Sequence, residues 1–253
     1  TAREGDVLTI TLNRPERLNA CPPDMADEIL TAIRDLDGAR AVLITGAGRA
    51  FCSGADLAAR GERSVGGGEG AFTALGRHYN PMVMALASLP VPVIAAVNGP
   101  AAGIGCSIAL AADFVIAGSS AYFLQAFVNI GLVPDGGSTW LLSRAIGRAR
   151  ATRMMMLGEK IGAEKAENWG LIYKAVADDA LIDEASALAT RLANGPTLAY
   201  ATMKKNISTA LDGDLTQVFL AEAEGQRLAE VSKDAMEGGM AFLQKRKPEF
   251  KGA

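Results

Sequence analysis

Two glycine-flanked turns in this sequence could each present a backbone N–H group to a ligand with no side chain in the way. One comprises residues 52–57 (CSGADL), and the other is Gly103-Ile104-Gly105. The second turn follows a predicted strand and opens a predicted helix, so the Ile104 N–H would lie at the positive end of that helix. Two N–H groups directed at one carbonyl oxygen form an oxyanion hole, which stabilises an enolate-like transition state by about 3 kcal/mol per donor. The same glycines would also serve simply to let a strand and a helix pack closely.

A third turn, residues 131–137 (GLVPDGG), carries a carboxylate immediately before a predicted helix. Pro134 restricts the backbone just before Asp135, and an aspartate in that place is a natural helix N-cap. The same residue could be a general base, held on a rigid turn in an apolar cleft where burial would raise its proton affinity. The local sequence leaves both interpretations open.

The remaining nucleophilic or metal-binding residue types form no recognisable pattern. Ser53 lacks a G-x-S-x-G elbow, and nothing in the spacing places His78, the only histidine, beside it. We therefore interpret His78 as a surface or helix-packing residue. Cys52 and Cys106 lie among small residues, where free cysteine usually behaves as a buried hydrophobe. With one histidine, three widely spaced cysteines and no CxxC motif, we expect no bound metal.

The composition is that of a globular protein with a large core. The chain has 253 residues, of which 49% are hydrophobic and 21% are charged, which excludes a disordered, collagen-like or disulfide-stapled chain. The net charge of −3 gives no reason to expect a nucleic-acid or membrane partner, so an anionic ligand would need a local basic patch. The first twenty residues are interspersed with charges and contain no apolar signal core, so we expect a cytoplasmic protein.

The turns are positioned by an α/β pattern in the first two thirds of the chain. Strand, helix and strand patterns at residues 7–12, 24–36 and 41–45 form a first βαβ unit. Residues 78–112 carry no Asp, Glu, Lys or Arg but contain several prolines, so we interpret them as a buried strand followed by a buried helix rather than a membrane span. Residues 61–70 are interpreted as a flexible surface stretch.

Helical patterns dominate after residue 136. A further strand is predicted at residues 114–116, ahead of this helical part. The predicted helices cover residues 138–146, 148–157, 163–169, 179–193, 196–211 and, with at least one break, 215–244. No linker in this part is long enough to separate independent domains.

Taken together, these motifs resemble the enoyl-CoA hydratase/isomerase family, also called the crotonase superfamily. The segments that carry the resemblance are residues 12–15 (LNRP) with 18–20 (LNA), 46–57 (GAGRAFCSGADL), 92–113 and 131–137, followed by a basic tail at 242–251. They occur nearly end to end in the family's order and spacing. The resemblance implies a crotonase-like spiral of ββα units over residues 1–195. It also implies a C-terminal helical region over residues 196–253 that packs in homotrimers, commonly paired into hexamers.

The resemblance also implies a shared chemistry, in which two backbone N–H groups polarise the carbonyl of an acyl-CoA thioester and stabilise its enolate. By position, the donors would be Ala55 and Ile104. No cofactor is expected, because coenzyme A is part of the substrate. The residues expected to contact the substrate are Ala55, Asp56, Leu57, Ala58, Ile104, Phe127, Arg17 and Lys247, with Arg14 as a further candidate for the CoA phosphates.

Two departures from the family's hydratases bear on the reaction. Those hydratases carry glutamates at two positions that read Ser107 and Phe127 in this chain. Addition of water to an enoyl thioester needs two carboxyl groups to hold, deprotonate and reprotonate one water molecule. The chain instead has Asp135, at the position where several isomerases and a dehalogenase of the family carry their working aspartate.

One carboxylate is sufficient to move a proton from one carbon of an enolate to another. We therefore predict an acyl-CoA isomerase that shifts a double bond or rearranges a ring epoxide, with Asp135 as proton shuttle and Phe127 as an apolar wall that excludes water. Within the family, the context of Asp135 is most similar to isomerases of phenylacetyl-CoA ring epoxides and of 3-enoyl-CoA esters. The alternatives are hydratase-type or dehalogenase activity on a CoA thioester, or a non-catalytic acyl-CoA-binding subunit. A hydratase of the same pathway is a candidate partner.

Overall fold

The strands form two sheets in a computed structural model that describes residues 1–56 and 67–253. The larger sheet has the order β1-β2-β3-β4-β6-β9, with β1 antiparallel to β2 and all other neighbours parallel. The smaller sheet has the order β5-β7-β8. The strands are β1 (Ala2–Glu4), β2 (Val7–Leu12), β3 (Ala41–Gly46), β4 (Val93–Val97), β5 (Pro100–Ala102), β6 (Phe114–Gly118), β7 (Tyr122–Leu124), β8 (Ile161–Gly162) and β9 (Lys174–Val176).

Helices cover both faces of the larger sheet and form the C-terminal part of the chain. The α-helices are α1 (Pro23–Arg34), α2 (Gly67–Ala74), α3 (Asn80–Ala87), α4 (Ile104–Leu110), α5 (Ser138–Leu157), α6 (Ala163–Asn168), α7 (Leu181–Ala193), α8 (Thr197–Asp212), α9 (Leu215–Glu230) and α10 (Lys233–Leu243). A π-helix, Leu75–Tyr79, joins α2 to α3. Among the described helices, none is long and apolar enough to cross a membrane.

The core lies on both faces of the larger sheet because successive strand residues point in opposite directions. In β3, Val42 and Ile44 pack with α1 and α3, whereas Ala41 and Leu43 pack against α7. All four side chains are buried. A strand covered on both faces reads as a continuous apolar run, which is why AVLIT carries no polar alternation.

The structure confirms most of the predicted elements and corrects two. The first βαβ unit is present, since β2 and β3 pair in parallel around α1. The segment 78–112 begins with a helix, α3, that the prediction missed, because Pro81 lies in its first turn, where proline costs no hydrogen bond. Gly67 to Gly70 belong to α2 rather than to a flexible stretch, and residues 61–66 lie outside the described residues. The predicted break between two helices near residue 147 is confirmed, since Gly147 has non-helical dihedrals.

The C-terminal helices α8 to α10 contribute little to the core of this chain. Only three residues of these helices are buried, namely Gly225, Asp234 and Ala241. Their large exposed apolar side chains are Leu198, Met203, Ile207, Leu211, Leu215, Phe219, Leu220, Leu228, Met236, Met240, Phe242 and Leu243. Monomeric soluble proteins rarely expose this many large apolar side chains on three consecutive helices.

Candidate active site

The first glycine-flanked turn is held in an extended conformation by a single bridge to Cys21. The Cys21 N–H donates to the Gly54 carbonyl over 2.8 Å, and the Asp56 N–H donates to the Cys21 carbonyl over 3.2 Å. In a parallel bridge the residue between those two positions directs its own N–H to the other side. The Ala55 N–H therefore faces away from Cys21, and it donates to no other described residue.

The second turn presents Ile104 at the start of α4. Gly103 has φ +53° and ψ −124°, a conformation that side chains rarely allow, and Ile104 is the first residue of the helix. The N–H groups of Cys106 and Ser107 bond back to the Gly103 carbonyl. The Ile104 N–H has no acceptor in its own helix, as is usual for a first-turn donor, and no bond from it reaches another described residue.

The two turns lie against each other. A methyl group added at Gly103 would lie 3.8 Å from the Gly54 Cα. The chain segments before them are paired in register, because the Cys52 N–H donates to the Pro100 carbonyl over 3.0 Å and the Ala102 N–H donates to the Cys52 carbonyl over 2.9 Å. The structure therefore brings together the two turns that the sequence singled out, with Ala55 on one and Ile104 on the other.

The turn of Asp135 packs on the same helix. The Ser107 hydroxyl lies 2.9 Å from the Ser138 hydroxyl and 3.5 Å from the Asp135 carbonyl oxygen. The backbone of Gly136 also lies against α4, since a methyl group built at Gly136 would lie 2.3 Å from the Ile104 Cδ1 atom. This contact excludes any side chain at position 136 unless Ile104 moves. Asp135, which is half-buried, thus immediately precedes the residue that contacts the Ile104 side chain.

The N-cap interpretation of Asp135 is wrong. Helix α5 begins at Ser138, and Gly137 occupies the cap position with no side-chain cap bond. Asp135 lies two residues too early for that role. The role of Asp135 as a general base stays a prediction.

Phe127 lies beside the second turn. It belongs to a short 3-10 helix, Ala126–Ile130, and is half-buried. Its ring carbon Cζ would be 3.5 Å from a methyl group at Gly103. The aromatic side chain therefore lies against Gly103, the residue before Ile104, whereas Ser107, the other position at which this chain departs from the expected hydratase glutamates, is fully buried.

The basic residues expected near the CoA phosphates have different surroundings. Arg14 is engaged within the protein, because its guanidinium bonds to the Asp56 carboxylate over 2.9 Å and to the Ala20 carbonyl over 2.6 Å. Arg17 is exposed and adjoins the first turn, since the Ser53 hydroxyl donates to its carbonyl over 3.4 Å. The predicted contacts at Leu57 and Ala58 lie outside the described residues.

Lys247 lies at the other end of the larger sheet from the two turns. It belongs to the C-terminal tail, in which the Phe250 carbonyl accepts a bond from Arg40. Arg40 precedes β3, whereas Ala55 follows the carboxyl end of that strand. The structure therefore does not bring Lys247 together with the other predicted residues of its own chain.

The remaining nucleophile candidates have structural roles. All three cysteines are free and buried, and burial raises the pKa of the Cys52 thiol to about 11 and that of Cys106 to about 12. Cys52 and Cys106 are buried, as predicted, and Cys21 is buried as well. The His78 ring lies 2.9 Å from the Asp27 carboxylate of α1, which agrees with its interpretation as a helix-packing residue.

An α/β core that brings two glycine-flanked turns together, next to a turn that carries a carboxylate, is the architecture of a crotonase-fold enzyme. Solved structures bear this out: an enoyl-CoA hydratase from Polaromonas sp. JS666 superposes with a TM-score of 0.93 and 34% identity, over 99% of this chain and 98% of that one. An enoyl-CoA hydratase from Bacillus anthracis gives a TM-score of 0.92 and 33% identity, over 100% and 98%. The predicted fold is confirmed.

The chain belongs to the enoyl-CoA hydratase/isomerase family, whose model matches residues 2–253. It is 45% identical to the 1,2-epoxyphenylacetyl-CoA isomerase of Escherichia coli (strain K12), over 98% of this chain and 96% of that protein. It is 47% identical to a Rhodobacter capsulatus protein named "Probable enoyl-CoA hydratase", over 97% and 95%. Membership of this family makes the chain an enzyme that acts on CoA thioesters.

Two residues that support the site had no signal in the sequence. Tyr79 donates its hydroxyl to the Cys21 carbonyl over 2.8 Å, and Ser138 bonds to Ser107. Neither residue belongs to a motif that suggests a role at the site. Their contacts join parts of the chain that no local pattern relates.

Proposed function

We propose that the protein is an acyl-CoA isomerase in which one carboxylate moves a proton along a thioester enolate. The Ala55 and Ile104 N–H groups bind the thioester oxygen, and Asp135 is the base and then the acid. For a 3-enoyl-CoA, the Asp135 carboxylate removes a proton from C2 and the electrons move onto the thioester oxygen, which gives a dienolate. The protonated Asp135 then delivers the proton to C4, and the double bond is left between C2 and C3.

The observation that carries this proposal is the contact between the Asp135 turn and helix α4. The hydrogen bond partner of Asp135's carbonyl, Ser107, lies one helical turn from Ile104, and Gly136 touches the Ile104 side chain. From this contact between the two backbone segments, we infer that the Asp135 carboxylate reaches the carbon atoms beside a bound carbonyl. Proton transfer requires such proximity before any matching of pKa values.

The surroundings of the site favour isomerisation over hydration. Position 107 carries a buried hydroxyl bonded to Ser138, and position 127 carries an aromatic ring. Neither can hold and deprotonate a water molecule as a glutamate would. The Phe127 ring also covers apolar space next to Gly103, which limits access of water to the enolate.

The proposal is tested with Asp135→Asn. We expect the variant to lose turnover of a 3-enoyl-CoA, measured by the absorbance of the conjugated product. It should still bind acetyl-CoA or a 2-enoyl-CoA about as tightly as the wild type by calorimetry, because the oxyanion donors belong to the backbone. Near-normal turnover by Asp135→Asn would rule out Asp135 as the base.

Hydration is the second candidate, because relatives of similar identity are named as enoyl-CoA hydratases. It predicts rapid addition of water to crotonyl-CoA by the wild-type protein, seen as loss of the conjugated absorbance and a mass gain of one water. Under the isomerase proposal this reaction is negligible. An aryl-CoA ring epoxide is the further substrate to assay, since the E. coli relative is named for one.

We also propose that the chain assembles as a homotrimer, alone or as a pair of trimers. The support is the apolar side chains that α8 to α10 leave exposed, such as Ile207, Phe219 and Met240. Burial of such a surface stabilises an assembly by about 25 cal/mol for each Å² removed from water. Light scattering of the purified protein measures the assembly.

A further inference from the structure

The carbonyl of Cys21 is the point at which three parts of the chain meet behind the first oxyanion donor. It accepts the Asp56 N–H over 3.2 Å and the Tyr79 hydroxyl over 2.8 Å. Its residue also donates to the Gly54 carbonyl. These bonds enclose Ala55 on both sides, so the orientation of the Cys21 peptide sets the direction of the Ala55 N–H.

Tyr79 reaches this carbonyl because the helix that carries it is locally widened. The Asn80 N–H bonds to the Leu75 carbonyl five residues earlier, which makes residues 75–79 a π-helix. Pro81 follows at once, and a wide turn before it relieves the clash of its ring with the preceding carbonyls. The neighbouring His78 is tied to Asp27 of α1, so the widened turn is anchored on its other side.

The segment that holds Ala55 has a second attachment, through Arg14. Its guanidinium bonds to the Ala20 carbonyl, next to Cys21, and to the buried carboxylate of Asp56, next to Ala55. The ion pair therefore draws the two sides of the bridge together. Of the two attachments, only the one through Tyr79 involves a hydrogen bond to the Cys21 carbonyl, which also accepts the Asp56 N–H in the bridge.

We propose that Tyr79 is a positioning residue for the oxyanion site, which holds the Ala55 N–H in place through the Cys21 carbonyl. The inference rests on the proposed function, because it assigns Tyr79 to the oxyanion hole of that reaction. Tyr79 is buried with 3% of its surface exposed, so it acts through Cys21 and not on the substrate. Without its hydroxyl, the Cys21 peptide can rotate, and the Ala55 N–H then points less directly at the thioester oxygen.

The test compares Tyr79→Phe with Tyr200→Phe in the full chain. Both changes remove one phenol hydroxyl and keep the ring, and Tyr200 packs with the core on the other face of the sheet, against α7. The first readout is kcat and KM for a 3-enoyl-CoA. We expect Tyr79→Phe to lower kcat by about 10-fold with little change in KM, part of the 10²- to 10³-fold loss that follows removal of an oxyanion donor. Tyr200→Phe should leave both constants unchanged.

The second readout is the thioester C=O stretch of a bound, isotope-labelled 2-enoyl-CoA in the infrared. Hydrogen bonds from two donors lower this frequency, and a misdirected Ala55 N–H lowers it less. We expect the band to move back toward that of the free ester in Tyr79→Phe and to stay in place in Tyr200→Phe. Thermal melting of both variants checks that they are folded.

The outcomes separate this inference from the function on which it rests. If Tyr79→Phe keeps both the wild-type kcat and the wild-type band, or only melts earlier, Tyr79 has no positioning role. The same holds if Tyr200→Phe shows equal losses. If instead the wild type moves no double bond, or Asp135→Asn remains active, the proposed function is wrong. The infrared band still decides the role of Tyr79 in that case, because it requires binding only.

Discussion

Replacing Gly103 with alanine should disable the second oxyanion donor without filling the site. The dihedrals of Gly103, φ +53° and ψ −124°, lie in a region that is almost restricted to glycine. The added methyl group would meet no hard obstacle, since its nearest neighbour is the Phe127 ring at 3.5 Å. The cost is therefore backbone strain, which amounts to about 1–3 kcal/mol for a residue held in such a conformation.

The protein can relieve this strain by rotating the peptide between Gly103 and Ile104, and that peptide carries the proposed donor. Loss of one oxyanion donor lowers kcat by about 10²- to 10³-fold. We expect Gly103→Ala to show a fall in kcat of this order for a 3-enoyl-CoA. KM should change much less, because most of the binding energy comes from the CoA part.

Gly147→Ala is the matched control. Gly147 also has glycine-type dihedrals, φ +72° and ψ +167°, with no atom near a Cβ at that position, and it lies in the break of α5. It should lose a similar amount of stability and keep the wild-type kcat. Both variants are assayed by product absorbance and by urea unfolding. A folded Gly103→Ala enzyme with wild-type kcat would refute the assignment of the Ile104 N–H as a donor.

Two further predictions concern the support of the site and of the tail. Ser107→Ala leaves the buried Ser138 hydroxyl without its partner at 2.9 Å, so it should lower the free energy of unfolding, measured by urea titration, by about 1–3 kcal/mol. Adding Ser138→Ala to this variant should lower the free energy of unfolding by less than Ser138→Ala does in the wild type. The hydrogen-bonded Arg246 guanidinium lowers the pKa of Glu237 from 4.5 to about 2, so the stabilisation is complete above pH 4.5 and is lost as the pH falls toward 2. Glu237→Gln should therefore flatten the dependence of Tm on pH in that interval, and an unchanged slope would show that the pair contributes nothing.

Much of the fold was predictable because its elements carry strong local patterns. The strand at Val7–Leu12 is predicted to the residue, since its β-branched and apolar run ends at Asn13 before a proline. The helix after Gly103 is likewise predicted, and it begins at Ile104, the residue expected to open it. Helix α3 was not predicted because Pro81 reads as a break in the pattern, although proline is tolerated in the first turn of a helix, where it lies.

The candidate site divides in the same way. Its glycines and Asp135 could be singled out because each imposes a local backbone requirement that the residue type reveals. That Asp135 does not cap helix α5 could not be predicted, because this depends on where α5 begins and on the contact of the Asp135 carbonyl with Ser107, 28 residues away in sequence. The same limit applies to Arg14, which was a candidate for phosphate contact and is paired with Asp56.

The amino-acid sequence thus specifies the family, the central strands of the larger sheet, most of the helices, and a short list of residues able to do chemistry. Tertiary structure alone decides which of them meet. The direction of the Ala55 N–H depends on a bridge to Cys21, and that bridge depends on a hydroxyl 58 residues farther along the chain. Side-chain periodicity reports the face that a residue turns to the core, but it contains no information on the orientation of a peptide group, which is set by hydrogen bonds between distant segments.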